Sequence, residues 1–144
     1  MPNPNLIPLS LYIHIPWCVK KCPYCDFNSH ESRTPIDFVG YVDALLDDLK
    51  TQLSFVQGRK IATIFIGGGT PSLLPIAQYR QLFAGINAQL TLTHDCEITM
   101  EANPATVEHA PFHEYLAVGI NRLSLGVQSF QTQKLAALGR IHNP

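Results

Sequence analysis

The sequence predicts an α/β fold in which parallel strands alternate with helices and form part of a barrel. Segments rich in strand formers alternate with amphipathic segments of helical period, and glycine or proline turns separate them. Polar and apolar residues also alternate along the strand segments. Such an alternation of strands and helices implies parallel strands joined by right-handed crossovers.

The first strand–helix unit occupies the first third of the chain. Residues 9–16 predict a strand, and residues 35–55 predict a helix whose apolar side chains recur along one stripe. Thr34, with Asp37 three residues later, resembles a capping box, and Pro35 suits the first helical position. We therefore expect this helix to begin at Pro35.

The remaining elements repeat the same alternation. They are a strand at 60–66, a helix near 75–90, a strand at 96–102, a helix at about 106–118, a strand at 120–127 and a helical start at 130–138. Four such units are about half of an eight-unit barrel, which typically needs roughly 250 residues. We expect residues 1–144 to be the N-terminal part of the core domain of a longer protein.

The strands are predicted to have one polar and one apolar face. Tyr12 and Glu101 belong to the polar face, whereas Ile13, Ile98 and Met100 belong to the apolar face. Strands buried on both faces would instead be continuously apolar. The pattern favours a barrel-like sheet around a polar cavity, and an open sheet with one wet side is the alternative.

Composition excludes several classes of protein. With 46% hydrophobic and 15% charged residues the chain is an ordinary globular one, and its net charge of -1 attracts neither nucleic acid nor anionic lipid. The first ten residues lack the features of a secretory signal, and no apolar stretch reaches the roughly 18 residues of a membrane span. We expect a cytoplasmic protein with no transmembrane segment and with reduced thiols.

Three of the four cysteines lie within eight residues, directly after the first strand. They are Cys18, Cys22 and Cys25, whereas Cys96 is far away in the sequence and suits a buried strand position. Pro23 argues against a regular helix here, so the three thiols belong to a loop. Closely spaced cysteines on a loop are typical of iron–sulfur clusters, and three ligands leave one iron of a four-iron cluster open.

A structural zinc site is the alternative for this loop. His14 or His30 would then supply the fourth ligand, although zinc ligands usually come from two separated pairs. Lys20 and Lys21 are expected to moderate the charge of the thiolates. Trp17 either covers the loop or packs in the core.

The cysteine spacing is CxxxCxxC with the aromatic Tyr24 before the last cysteine, and it resembles the hallmark of the radical S-adenosylmethionine superfamily. Further motifs resemble the oxygen-independent coproporphyrinogen oxidase family, and specifically its heme-chaperone branch. They are SLYIHIPWC, YCDFNSH, GGGTPSLL, EANP and the run from NRLSLGVQSF to LGRIH. The resemblance extends through essentially the whole chain.

This resemblance implies a partial (β/α) radical-SAM barrel that binds a [4Fe–4S] cluster and S-adenosylmethionine. The open iron would chelate the amino and carboxylate groups of S-adenosylmethionine, and one electron would cleave its sulfonium bond. By motif, the resemblance assigns the cluster to Cys18, Cys22 and Cys25, and the S-adenosylmethionine to Tyr12, Tyr24, Gly68, Gly69, Thr70, Glu101, Gln128 and Arg140.

Several of these residues have simpler interpretations when taken alone. Gly67 to Gly69 suit a tight turn after a strand, and Thr70 could cap a short helix that begins at Pro71. Glu101 could be a solvated or salt-bridged charge, and Arg140 a cation at a helix end.

The resemblance also implies a function, which is to bind heme and deliver it to an acceptor protein. The alternatives are an anaerobic coproporphyrinogen oxidase and a non-catalytic zinc module. Phe27 stands where the oxidases have a further cysteine, and this departure favours the chaperone branch. The position could also merely pack beside the cluster and tolerate either residue. Heme ligands are not assigned within this chain.

Overall fold

The computed structural model of the chain describes residues 7–104 and 110–144. In chain order the elements are β1 (Leu9–Ile15), β2 (Trp17–Cys18), β3 (His30–Glu31), α1 (Phe38–Val56), β4 (Ile61–Gly68), a 3₁₀ helix (Pro71–Leu73), α2 (Ile76–Gln89), β5 (Leu92–Ala102), α3 (Phe112–Ala117), β6 (Arg122–Leu125) and α4 (Thr132–Ala137). Strand and helix segments thus alternate as the sequence predicts.

A four-stranded sheet in the order β1-β4-β5-β6 forms the centre of the fold. All three pairings are parallel, with Ile13 opposite Ile66, Ile64 opposite Ile98, and Met100 opposite Leu123. Each strand is added on the same side of the previous one, without the reversal of order that marks a doubly wound sheet. The predicted α/β fold with barrel-like strand order is confirmed.

The apolar core lies on one face of this sheet, beneath α1 and α2. The side chains of Ile15 and Ile66 are fully buried there, and Met100 is 1% exposed. Tyr79 of α2 is also buried, and its hydroxyl donates to the Pro71 carbonyl at 2.9 Å. Burial raises the pKa of this phenol well above its usual value, so Tyr79 stays neutral.

Helix α1 begins later than predicted. Asp37 is its N-cap, and the Asp37 carboxylate accepts a hydrogen bond from the Gly40 amide at 2.9 Å. The capping box with Thr34 and the helical start at Pro35 are therefore wrong. The physical reason is that the aspartate itself satisfies an amide of the first turn, which needs no residue further upstream.

Strand β6 is shorter than the predicted strand at 120–127. The amide side chain of Asn121 accepts from the Ile98 amide at 2.8 Å and donates to the Cys96 carbonyl at 2.9 Å. The Asn121 backbone amide also donates to the Ile98 carbonyl at 3.1 Å, so Asn121 is bound to β5 by both its backbone and its side chain, and β6 starts only at Arg122. The short β2–β3 pair was not predicted.

The third predicted helix is observed only in part. Helix α3 covers Phe112–Ala117, and residues 105–109 lie outside the described part of the chain. Across residues 7–104 and 110–144, no helix has both the length and the apolar character that crossing a bilayer requires.

Candidate cluster and cofactor site

A cavity of about 330 Å³ opens at the carboxyl ends of the strands. This volume falls within the range of ligand pockets, about 300–1,000 Å³. Ten of the eleven residues predicted for the site line the cavity: Cys18, Cys22, Tyr24, Cys25, Gly68, Gly69, Thr70, Glu101, Gln128 and Arg140. The fold thus brings together residues from five separate segments of the sequence.

The cysteine loop runs from β2 to β3, and hydrogen bonds between these two strands join its ends. The amide of Ser32 donates to the Cys18 carbonyl at 3.2 Å, and the amide of His30 donates to the Pro16 carbonyl at 2.7 Å. Cys18 is buried at the end of β2, whereas Cys22 and Cys25 are partly exposed. Strand pairing therefore fixes the ends of the loop, with Cys18 at its first end and the other two thiols within it.

Lys21 braces this loop from within. Its ammonium group donates to the carbonyls of Phe27 at 3.1 Å and Ser29 at 2.9 Å. The side chain was expected to moderate thiolate charge, but its hydrogen bonds go to loop carbonyls. Lys21 therefore holds the two halves of the loop together, and Lys20 is the exposed cation of the pair.

The donor set fits a multi-iron cluster. All three loop cysteines are free thiols lining one cavity. Within the described ranges, no three His, Cys, Asp or Glu side chains gather closely enough for one ion. In a four-iron cluster each cysteine ligates a different iron, so the thiols need to surround a cavity and not converge on a point.

The two histidines considered as a fourth zinc ligand lie elsewhere. His14 bonds to the Tyr12 hydroxyl and, at 2.8 Å, to the Asn28 carbonyl, while His30 contacts the Asn28 side chain. Neither histidine lines the cavity that contains the cysteines. These positions argue against the zinc interpretation.

The glycine-rich segment after β4 lies directly against the chain that leads into the cysteine loop. The Gly69 amide donates to the Ile15 carbonyl at 2.8 Å, and the Thr70 amide donates to the Trp17 carbonyl at 2.7 Å. A Cβ atom on Gly69 would collide with the Trp17 carbonyl. Gly68 has a φ of +118°, which favours glycine. The segment is therefore more than a tight turn, because its glycines permit this close approach.

Thr70 occupies the predicted N-cap position of the 3₁₀ helix at Pro71–Leu73, but its side chain does not cap that helix. Its hydroxyl instead accepts a hydrogen bond from the Asn103 side chain at 3.3 Å. Asn103 follows β5 and also lines the cavity. Sequence reasoning treated this asparagine only as the end of a strand, although its position in EANP was the available signal.

Glu101 lies at the carboxyl end of β5 with its carboxylate against β4. One carboxylate oxygen accepts from the Gly68 amide at 3.3 Å.

Tyr12 is the predicted residue that does not line the main cavity. It lines a neighbouring cavity of about 260 Å³, to which Glu101 and Phe27 also contribute. The pKa of the Tyr12 phenol is raised by burial and then by the negative charge of Glu101.

Arg140 connects the last part of the chain to the cysteine loop. One terminal nitrogen donates to the Cys22 sulfur at 3.4 Å, and the other donates to the Asn103 side chain and the Gly126 carbonyl, each at 2.6 Å. Arg140 is therefore not simply a cation at a helix end. It joins three loops at the edge of the cavity and binds the Cys22 sulfur directly.

Gln128 follows β6 with an unusual backbone conformation. Its φ of +65° lies in the left-handed region, which is uncommon for residues other than glycine. Such conformations cost roughly 1–3 kcal/mol and cluster at ligand sites. The Gln128 side chain is exposed at the rim of the cavity.

The aromatic residues near the loop lie in different environments. Trp17 packs edge-on against Phe38 and Tyr41, with ring centroids 5.6 and 4.6 Å away, so it belongs to the core side and not to the cover of the loop. The pKa of the Tyr24 phenol is raised, first by burial and then by its hydrogen bond to Cys22. Phe27 is 60% exposed and borders both cavities.

The chain is similar in sequence to known proteins. The protein named "Heme chaperone HemW" from Escherichia coli (strain K12) is 58% identical over 140 residues, which are 97% of this chain and 37% of that protein. The protein of the same name from Haemophilus influenzae is 52% identical, over 97% of this chain and 38% of that protein. The chain thus spans little more than a third of the length of these relatives.

A solved structure supports the fold. Coproporphyrinogen III oxidase (HemN) from Escherichia coli, described as a radical SAM enzyme, superposes with a TM-score of 0.82 and 32% identity, over 94% of this chain and 31% of that one. The profile of the Radical SAM superfamily matches residues 12–144. The chain therefore belongs to the radical SAM superfamily, a membership that implies a [4Fe–4S] cluster and S-adenosylmethionine as its cofactors.

Proposed function

We propose that this chain is the cluster-binding and S-adenosylmethionine-binding part of a heme chaperone, a protein that binds heme and delivers it to an acceptor protein. The observation that carries the proposal is the convergence of three free cysteines and the ends of the parallel strands on one cavity. The relatives at 58% and 52% identity carry the name heme chaperone, which supports the choice of branch.

In this proposal Cys18, Cys22 and Cys25 ligate three irons of the cluster. When bound, the cluster would supply the electron for cleavage of the sulfonium bond of S-adenosylmethionine. Lys21 holds the loop in shape through two carbonyls, and Arg140 donates to the Cys22 sulfur. These contacts orient the thiols and reduce the cost of bringing three negative charges together.

The remaining residues would bind S-adenosylmethionine. Glu101 offers carboxylate oxygens to the ammonium group or the sugar hydroxyls, since charge-assisted hydrogen bonds are the strong ones. Gly68 and Gly69 allow the ligand to approach the backbone closely, and Gln128 offers a donor and an acceptor at the rim. Thr70 supports the glycine segment through Asn103. Tyr24 flanks Cys22, and Tyr12 borders the adjoining cavity.

The chain is proposed to be the N-terminal part of the radical SAM core domain and to function in the cytoplasm. The free cysteines suit a reducing compartment. The length ratio supports the first point, because the relatives extend well beyond the matched region.

Coproporphyrinogen oxidation is the second candidate, and the structural similarity to the oxidase favours it. Against it stands Phe27, whose ring borders the cysteine cavity where the resemblance to the oxidases expects another thiol. A phenyl ring neither ligates a metal nor donates a proton, so chemistry that needs sulfur at this position is not available.

A single assay separates the two candidates. The full-length protein is reconstituted with iron and sulfide without oxygen, and is then given coproporphyrinogen, a reductant and S-adenosylmethionine. We expect no protoporphyrinogen, while absorbance titration of the same preparation shows heme binding. The Escherichia coli oxidase serves as the positive control. Turnover would contradict the chaperone proposal, and so would failure to bind heme.

A further inference from the structure

A small second cavity of about 20 Å³ lies beside Arg140. Arg140, His142 and Thr70 are among the residues that line it. A cavity needs roughly 10–15 Å³ to hold one water molecule. The cavity therefore has room for a water molecule.

Two buried polar atoms of these residues need a partner. Arg140 Nε and His142 Nδ1 are both buried and have no hydrogen-bond partner among residues 7–104 and 110–144. His142 itself is only 9% exposed. Leaving a buried donor or acceptor unsatisfied costs about 1–3 kcal/mol, so a hydrogen bond to either atom would stabilise the fold.

The two atoms have opposite hydrogen-bonding roles. The other ring nitrogen of His142 lies 3.0 Å from the Val127 carbonyl, and a carbonyl only accepts, so Nε2 carries the proton. In the neutral ring Nδ1 is then an acceptor, whereas Arg140 Nε–H is always a donor. A single ligand for both atoms must accept one hydrogen bond and donate another. An inorganic anion such as chloride cannot donate, and a metal cation would be repelled by the guanidinium.

We propose that one water molecule binds between Arg140 Nε and His142 Nδ1, and that His142 is a positioning residue for Arg140. Both terminal nitrogens of Arg140 are already engaged, one by Cys22 and the other by the strand ends. The water accepts a hydrogen bond from Nε, the remaining nitrogen of the guanidinium, and so holds the plane of the group in a fixed orientation. His142 itself is anchored by Val127 in the loop after β6. The proposal requires neither cluster nor cofactor.

The first test needs no variant. A crystal structure of the full-length protein, at a resolution that shows ordered waters, should contain a water within hydrogen-bonding distance of both nitrogens. A protein group bonded directly to Arg140 Nε, an ion in the cavity, or the absence of an ordered water between the two nitrogens would each overturn the proposal.

The second test measures the order of Arg140 itself. In the full-length protein labelled with ¹⁵N-arginine, the Nε–H signal of Arg140 should exchange slowly with solvent. His142→Phe keeps an aromatic ring but removes both the acceptor Nδ1 and the Nε2 hydrogen bond to Val127. The exchange at Arg140 Nε should become roughly tenfold faster, as expected for the loss of the one hydrogen bond that this atom makes. His113→Phe, at an exposed histidine of α3, is the control and should leave the signal unchanged. An unchanged signal in a folded His142→Phe protein would refute the positioning role.

Discussion

The two faces of the central sheet are built from the same strands, but one face packs against the helices and the other is open. On the covered face Ile13, Ile66 and Met100 are 5%, 0% and 1% exposed beneath the helices. On the open face, Tyr12 and Phe65 are 57% and 38% exposed. A strand alternates its side chains with period two, so each strand stabilises the fold with one set and presents the other.

This comparison teaches that stability and ligand binding are separable in this molecule. Fully burying a large apolar side chain contributes about 1.5–3 kcal/mol, whereas a side chain left largely in solvent contributes little. Substitutions on the covered face should therefore lower the free energy of unfolding and spare the site. Substitutions on the open face near the strand ends should weaken ligand binding and leave the free energy of unfolding nearly unchanged.

The largest effect on stability is expected from Ile66→Ala, because this side chain is fully buried in β4. We expect a loss of about 2–5 kcal/mol in the free energy of unfolding, from lost burial and the cavity left behind. Phe65→Ala, one residue earlier on the open face, is the matched control and should cost about 1 kcal/mol. Chemical denaturation measures both. Equal losses would show that the two faces do not differ as described.

A smaller effect, on binding only, is expected from Glu101→Ala. The affinity for S-adenosylmethionine should fall by about 1–3 kcal/mol, as expected for lost charge-assisted hydrogen bonds, while the cluster is retained. Glu97→Ala is the control, since Glu97 lies on the same strand and pairs with Arg122 at 2.9 Å outside the cavity. Titration followed by the electron paramagnetic resonance signal of the cluster measures the affinity. Equal affinities in the two variants would contradict the assignment of Glu101.

The smallest effect is expected when a single hydroxyl is removed. Tyr79→Phe loses the buried hydrogen bond to the Pro71 carbonyl, and the free energy of unfolding should fall by about 0.5–1.5 kcal/mol. Tyr12→Phe removes a hydroxyl on the open face that bonds to His14, and should change stability by less than about 0.5 kcal/mol. Thermal or chemical unfolding of both variants gives the comparison, and a larger loss for Tyr12→Phe would reverse it.

Much of this fold could be predicted because its signals are local. Hydrophobic period, glycine turns and strand formers gave the order of the elements, and the alternation along β1 and β5 gave the polar face. The boundaries depended on single side chains. Asp37 caps α1 directly, and the Asn121 side chain bonds to the backbone of β5 just before β6 begins. Neither contact has a distinctive sequence pattern.

The site was predictable to the extent that its motifs are contiguous. The CxxxCxxC spacing and the glycine segment can be found in the sequence, and the resemblance connected them with Glu101 and Gln128. The roles of Lys21, Asn103 and His142 were not predicted, because each acts on residues far away in sequence or through backbone carbonyls. Such contacts exist only once the loops have met at the strand ends.

The central claim is that the three loop cysteines together hold a four-iron cluster, and iron and sulfide analysis after anaerobic reconstitution tests it most directly. Cys18→Ala, Cys22→Ala and Cys25→Ala should each abolish stable incorporation of four irons, because each removes one of three protein ligands. Cys96→Ala should retain the full cluster, since Cys96 is buried in β5 and does not line the cavity. A full cluster in any of the three loop variants would contradict the account.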